Sequence, residues 1–266
     1  MEVEGASGGL MVRNATLRTC VLGALAALAW ACGGCAAGKA QPAFSFASGV
    51  VRTTARTLAA ADLLPAEGFD ARARVTEGDD AGATAVDRTV RENGRLVLVR
   101  ERDGRTEERL HLIEAEDGLL RLAEVETLGE SMRSVFAEPL PFAPRTLSPD
   151  APCAGESPME VRTVPGNAVR ARGTARRSLA IVGECDVEHL GKRLTAVVAE
   201  FRFDARLDAA RAEVRSELFV VPGVGIVAER RREKRVILGI LGSTSNETAV
   251  LFETTPTGPT PAPANR

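Results

Sequence analysis

Apolar and polar residues alternate along most of this chain. In its first half, the alternating segments cover residues 69–75, 85–91, 95–102, 106–114 and 119–126. Three of the gaps between segments contain the turn dipeptides Asn93-Gly94, Asp103-Gly104 and Asp117-Gly118. Asn-Gly and Asp-Gly supply the positive φ angles that tight hairpins need. Alternation with a period of two, interrupted by such turns, predicts an antiparallel meander.

The second half continues in the same style. Its predicted strands cover residues 159–164, 168–172, 179–187, 194–203, 213–221, 225–229, 235–241 and 248–253. Pro-Gly pairs at residues 164–167 and 221–224 predict type II turns. The halves are joined by residues 139–158, which contain six prolines. Because proline donates no ladder hydrogen bond, this stretch is predicted to be a crossover and not a central strand.

One segment has a different period. Residues 50–64 carry apolar side chains near helical spacing and stop at Pro65, which predicts a helix, although their β-branched start is equally compatible with a strand. We therefore predict a mainly β fold: a single antiparallel curved sheet, half-barrel or barrel-like, with one N-terminal helix. The chain length fits one domain, over residues 44–253, followed by a disordered Pro-rich tail at 254–266.

The start of the chain has the features of an export signal. Within residues 1–35, basic residues precede an apolar run that ends in Cys32-Gly-Gly-Cys35. A run of about a dozen apolar residues suits a signal better than a membrane span. The segment resembles bacterial lipoprotein signals, in which a cysteine is acylated and becomes the mature N-terminus. Cys35 and Cys32 both remain candidates, and simple cleavage or an uncleaved anchor are the alternatives. Residues 36–43 are interpreted as a tether.

Two further cysteines follow in the exported part. Acylation at Cys35 would leave Cys153 and Cys185, and an oxidising compartment favours their pairing. We therefore predict a disulfide between them, which would stabilise the fold by about 3 kcal/mol in the chain-entropy model.

Composition and motifs exclude several function classes. The formal charge of −2 gives nucleic-acid binding no electrostatic support. Residues 223–228 fit a G-x-G-x-x-A dinucleotide pattern, but no helix is predicted after them. Cys185 and His189 lack the further ligands that zinc requires. The charge run at residues 229–235 is interpreted as an exposed strand or hairpin, with contact to anionic headgroups as the weaker alternative. We predict no enzyme activity, metal or cofactor.

The strand order and the Pro-Gly-Val-Gly-Ile-Val turn within residues 218–227 resemble those of the bacterial lipoprotein-localisation factors and related exported proteins. The resemblance implies a curved β half-barrel whose apolar concave face holds acyl chains. Strands late in the chain are apolar on both faces, so another element must cover one of these faces. The helix predicted over residues 50–64 is the only candidate for this. We therefore predict a ligand site between helix and sheet, lined by Leu58, Val236, Leu238 and Ile240.

These observations predict a membrane-anchored lipoprotein of the cell envelope, facing the periplasm or the cell exterior. Its predicted activity is to bind an apolar or acyl-chain ligand. A structural or assembly component that docks another envelope protein is the alternative, and an exported hydrolase ranks third because no catalytic constellation is present.

Overall fold

The computed structural model describes residues 44–46, 51–237 and 241–256. The strands are β1 Phe44–Phe46, β2 Leu58–Ala59, β3 Phe69–Gly78, β4 Thr84–Glu92, β5 Arg95–Arg102, β6 Arg105–Glu114, β7 Leu120–Thr127, β8 Met132–Ala143, β9 Thr146–Leu147, β10 Cys153–Thr163, β11 Val169–His189, β12 Lys192–Leu207, β13 Ala210–Val221, β14 Gly225–Ile237 and β15 Leu241–Pro256. The helical elements are α1, Ala60–Leu63, and a 3-10 turn, Leu128–Glu130.

Twelve of these strands close into an antiparallel barrel. The hydrogen-bonded order runs β11-β10-β8-β7-β6-β5-β4-β3-β15-β14-β13-β12, and pairing between β12 and β11 completes the circle. The short strand β1 pairs with the far end of β11, and β2 pairs with β9 in a separate ribbon. The predicted mainly β, barrel-like class is therefore confirmed, and the sheet is a closed barrel.

The first half of the barrel follows the turn chemistry closely. Both residues of the Asn93-Gly94 turn have positive φ, 48° and 79°, and the Asp103-Gly104 turn is nearly identical. These angles match the right-handed twist of the flanking strands. The third turn is longer: the backbone N–H of Leu119 donates to Asp117 Oδ1 at 2.9 Å, and only Gly118 has positive φ.

Two pairs of predicted strands merge into single long ones. Strand β11 continues through residues 173–178, where the prediction had a break. Gly173 allows this continuation, because a Cβ atom there would lie 1.9 Å from the Arg206 carbonyl oxygen of β12. Strand β14 likewise continues through the whole charge run at residues 229–235.

The Pro-rich stretch differs from the prediction, because parts of it are barrel strands. Pro139 and Pro141 lie in β8, and Pro158 lies in β10. The ladder between β8 and β10 begins only at Phe136 opposite Met159, so these prolines lie where that ladder is open. A missing backbone N–H costs little at such a position.

The predicted helix over residues 50–64 is wrong except for its last turn. Arg52 instead exchanges two backbone hydrogen bonds of 2.8 Å with Glu184 at the edge of β11. Leu58 then pairs with Leu147, and only α1 is helical. The β-branched residues near the start of the segment favour extended backbone, and the sheet edge supplies its hydrogen-bond partners.

At the other end of the chain, β15 continues to Pro256, beyond the predicted domain boundary at residue 253. The predicted signal and tether, residues 1–43, lie outside the described residues, as do residues 257–266 of the predicted tail. Within the described ranges, no helix has the length and apolarity needed to cross a bilayer.

Candidate functional site

The barrel encloses a cavity of about 500 Å³. Its wall is formed by side chains at alternate strand positions, which point inward as the pleat requires. A large part of this wall is apolar, including Leu98, Leu122, Phe142, Leu179, Phe201 and Leu218. The remaining wall is charged, so the lumen has two chemically distinct parts.

The apolar part is bounded by the segment that follows β2. Leu63 and Leu64 line the cavity, and the turn after β13 holds α1 in place, since Gly223 donates its backbone N–H to Asp62 Oδ1 at 2.8 Å. Leu58 and Leu147 are fully buried beneath this segment. The N-terminal segment therefore forms one end of the lumen wall.

The charged part is a band of inward-facing carboxylates and guanidinium groups, which we call the polar layer. Its members are Asp80, Asp87, Arg100, Arg102, Glu107, Glu108, Glu229, Arg231, Glu233 and Glu247. They come from five strands and from the turn after β3. Cross-strand register brings them together, because Arg100 lies opposite both Asp87 and Glu108, and Arg231 lies opposite Glu247.

Two arginines of the polar layer, Arg100 and Arg102, are each shared between carboxylates, and Arg231 pairs with Glu233 at 3.3 Å. Arg102 makes a two-pronged contact with Glu247, at 2.9 and 3.1 Å, and a further one with Asp80 at 3.1 Å. Arg100 lies 3.7 Å from carboxylate oxygens of both Asp87 and Glu108. Such paired charges are tolerated inside a fold when their partners compensate for the loss of water.

Burial sets the protonation behaviour of this layer. Loss of water disfavours the charged form of Arg100, but the surrounding carboxylates, with Asp87 and Glu108 the strongest, together outweigh that effect and raise its pKa. Burial raises the pKa of Asp87, and Arg100 opposes this only in part. At the rim, burial raises the pKa of Glu130 to about 7 although Arg235 lies 3.8 Å away. The layer therefore holds carboxyl groups that take up protons more readily than exposed ones.

The charge run at residues 229–235 contributes to this layer, which its predicted exposure did not anticipate. Glu233 and Arg235 are only 7% and 8% exposed, whereas Arg230, Arg232 and Lys234 face outward and are exposed. The inward positions alternate in sign and the outward positions are all basic. This alternation is the sequence signal that could have indicated which residues of the charge run face inward.

Arg177 stands apart from the polar layer. It lines the cavity within the apolar part, between the rings of Phe142 and Phe201. Among the residues described, no carboxylate lies within ion-pair distance of it. Sequence reasoning missed this residue, because it lies within residues 173–178, where the sequence predicted a break between two strands and the structure has one continuous strand.

The two described members of the predicted lining, Leu58 and Val236, do not line the cavity. Leu58 is fully buried in the core cluster of the lumen, but it packs behind the cavity wall. Val236 is half-buried at the opposite end of β14 from α1, while Leu238 and Ile240 lie outside the described residues. The part that Leu238 and Ile240 play in the predicted site therefore stays a prediction, and the cavity that the structure describes is the lumen of the barrel.

The cysteine predictions have different outcomes. Cys153 and Cys185 are both free thiols. Cys153 lies opposite Leu179 of β11, and Cys185 is six positions further along that strand, which at about 3.3 Å per residue is too far for a bond. The predicted disulfide is therefore absent from this fold. Cys32 and Cys35 lie outside the described residues, so their acylation stays a prediction.

A small polar group on the outer face has the donor types of a metal site. His111, Glu124 and Glu126 place one possible ligand atom each within 4.8 Å of one another. However, Arg133 already pairs with both glutamates, at 3.1 and 2.8 Å. Arg109 also lies 4.0 Å from Glu126, so both carboxylates have cationic partners without a metal ion.

Comparisons with known proteins give no relative for this chain: no family model, curated protein or solved structure matches it.

Proposed function

We propose that this protein is a non-enzymatic lipoprotein of the cell envelope whose barrel lumen binds an apolar or acyl-chain ligand. The observation that carries the proposal is the cavity of about 500 Å³ with its apolar wall. Small-molecule sites are typically cavities of roughly 300–1,000 Å³, mainly apolar, with a few polar groups that orient the ligand. The lumen matches this description in its volume and in its largely apolar wall.

The space inside the barrel follows from its residues. Four alanines, Ala71, Ala73, Ala85 and Ala249, line the cavity on neighbouring strands. Barrels of eight strands are just filled by side chains, and larger ones enclose cavities. Twelve strands with small inward residues leave room for a ligand without opening the sheet.

The envelope location is supported by the leader. Its basic start, apolar run and candidate acylation sites Cys32 and Cys35 suit attachment to a membrane facing the periplasm or the cell exterior. A lipid anchor would hold the barrel beside a source of acyl chains. A binding role also fits the absence of any recognised nucleophile motif in the sequence.

The test uses Nile red, a neutral apolar fluorophore. We expect saturable fluorescence enhancement with wild-type protein and loss of most of it in Leu218→Trp, whose larger ring would occupy the lumen. Glu217→Trp is the matched control, because Glu217 is the neighbouring residue on β13 and is exposed. It should bind Nile red like wild type.

Two results would overturn the proposal. One is a wild-type protein that gives no saturable signal; this would favour the alternative of a component that docks another envelope protein. The other is equal binding by the Leu218→Trp and Glu217→Trp variants, which would place the dye on the outer surface.

A further inference from the structure

Arg177 occupies an unusual place in the lumen. It lies near the middle of β11, opposite Phe203 of β12 and Gly155 of β10, and it is 6% exposed. Its guanidinium carbon lies 4.4 Å from the ring centre of Phe142 and 4.8 Å from that of Phe201. Aromatic faces attract a cation, but they do not neutralise its charge.

The charge of Arg177 is uncompensated by any carboxylate that the structure describes. The other cavity-lining arginines, Arg100, Arg102 and Arg231, each have a carboxylate within 4.0 Å. Burial lowers the pKa of Arg177 to about 9, so it remains protonated at neutral pH. A buried charge without a counter-charge is costly, and such groups concentrate at functional sites.

A structural role accounts for one nitrogen of this side chain. Nη1 donates to the backbone carbonyls of Pro141 and Phe142, at 2.5 and 2.6 Å, where β8 has no ladder with β10. Nε and Nη2 make no hydrogen bond to any residue within the described ranges. A guanidinium has five N–H donors, and the pair along its Nε–Nη2 edge matches the two oxygens of a carboxylate.

We infer that Arg177 binds the carboxylate of a long-chain fatty acid, whose acyl chain lies along the apolar part of the lumen. This inference rests on the proposed function and names its ligand class. Two rings contact the guanidinium, so a ligand reaches it along its edge, which suits a planar carboxylate. The polar layer, which has more carboxylates than arginines, would repel the same head group.

The test compares three ligands with one chain length: myristate, myristyl alcohol and myristylamine, each displacing Nile red from full-length protein near neutral pH. Wild type should bind myristate about tenfold or more tightly than the alcohol, since two charge-assisted hydrogen bonds are gained. In Arg177→Met this preference should vanish while affinity for the alcohol is kept. Arg176→Met, a change at the exposed neighbour paired with Glu156, should behave like wild type.

Four outcomes would overturn the inference. Equal binding of acid and alcohol by wild type would leave lumen binding intact and remove the role of Arg177. Tightest binding of the amine would assign the head group to the polar layer. Equal loss of acid and alcohol in folded Arg177→Met would make Arg177 a wall residue only. Failure of wild type to bind Nile red or any of the three myristyl ligands would remove the proposed function as well.

Arg177→Lys provides the variant test if Arg177→Met does not fold, because lysine keeps the positive charge and lacks the two-pronged guanidinium edge. This variant should reduce the preference for myristate, and an unchanged preference would contradict the inference.

Discussion

The polar layer and the apolar part of the lumen differ in how their charged side chains are paired. The polar layer fills its space with mutually paired charges, so Arg102 alone contacts Asp80, Glu107 and Glu247. The apolar part lines a cavity and holds one arginine without a carboxylate partner in the described chain. Paired charged side chains inside this barrel are structural, and we propose that the one arginine without a carboxylate partner among the described residues marks a ligand site.

The largest effect is expected when an arginine of the polar layer is removed and its carboxylate partners are left unpaired. Arg100→Met leaves Asp87 and Glu108 without their closest cation, and we expect a loss of about 3–5 kcal/mol in the free energy of unfolding at neutral pH. The loss should be smaller at pH 5, because burial raises the pKa of Asp87 and protonation of this carboxylate removes one of the two unpaired charges. Urea unfolding at both pH values measures it. Arg95→Met, an exposed change on the same strand, should stay within about 0.5 kcal/mol of wild type; equal effects would contradict the account.

A second change weakens the apolar part. Leu58 is 0% exposed and packs with Leu147 beneath α1, so Leu58→Ala should lower the free energy of unfolding by about 2–5 kcal/mol. Leu128, in an exposed 3-10 turn, gives the matched control Leu128→Ala, which should change stability little. Chemical denaturation followed by circular dichroism distinguishes the two. A Leu58→Ala protein as stable as the control would show that the N-terminal segment does not close the lumen.

The smallest expected effect sharpens the comparison at the rim of the polar layer. Glu130 has a pKa of about 7 in the fold and an ordinary value near 4.5 when unfolded. The folded state therefore binds a proton at Glu130 more tightly than the unfolded state does. The stability that protonated Glu130 contributes is present below about pH 4.5 and is lost as pH rises through 7. Glu130→Gln should match wild type near pH 4.5 and exceed it by about 1–3 kcal/mol at pH 8. Thermal melts across this range test it, with exposed Glu116→Gln as control. A constant difference at all pH values would refute the shift.

The sequence predicts the first half of the barrel well because its turns are chemically explicit. Asn93-Gly94 and Asp103-Gly104 fix both the position and the geometry of their hairpins, and β5 begins and ends as predicted. Closure of the sheet is different, since it depends on pairing between β11 and β12 along their full length. The length of these strands could not be predicted, because β11 and β14 contain runs of arginines and charged residues are as compatible with a turn as with a strand.

The candidate site was harder to predict from the sequence than the fold, for a related reason. Period-two alternation says that neighbouring residues face opposite sides, but it does not say which side is inside when both carry charge. Arg231 and its cross-strand partner Glu247 are both inward, yet each belongs to a segment that looks solvent-exposed in isolation. Only the register of the assembled strands identifies Arg177 as the lumen arginine without a carboxylate partner among the described residues.

Native mass spectrometry of the full-length protein, purified from membranes without added lipid, tests the central claim most directly. Wild-type protein should carry a noncovalent adduct with the mass of an acyl-chain ligand, released at higher collision energy. Leu218→Trp should lack this adduct while keeping any covalent lipid at its N-terminus, which separates ligand from anchor. A wild-type spectrum without the adduct, in protein that also fails to bind added myristate, would contradict the account.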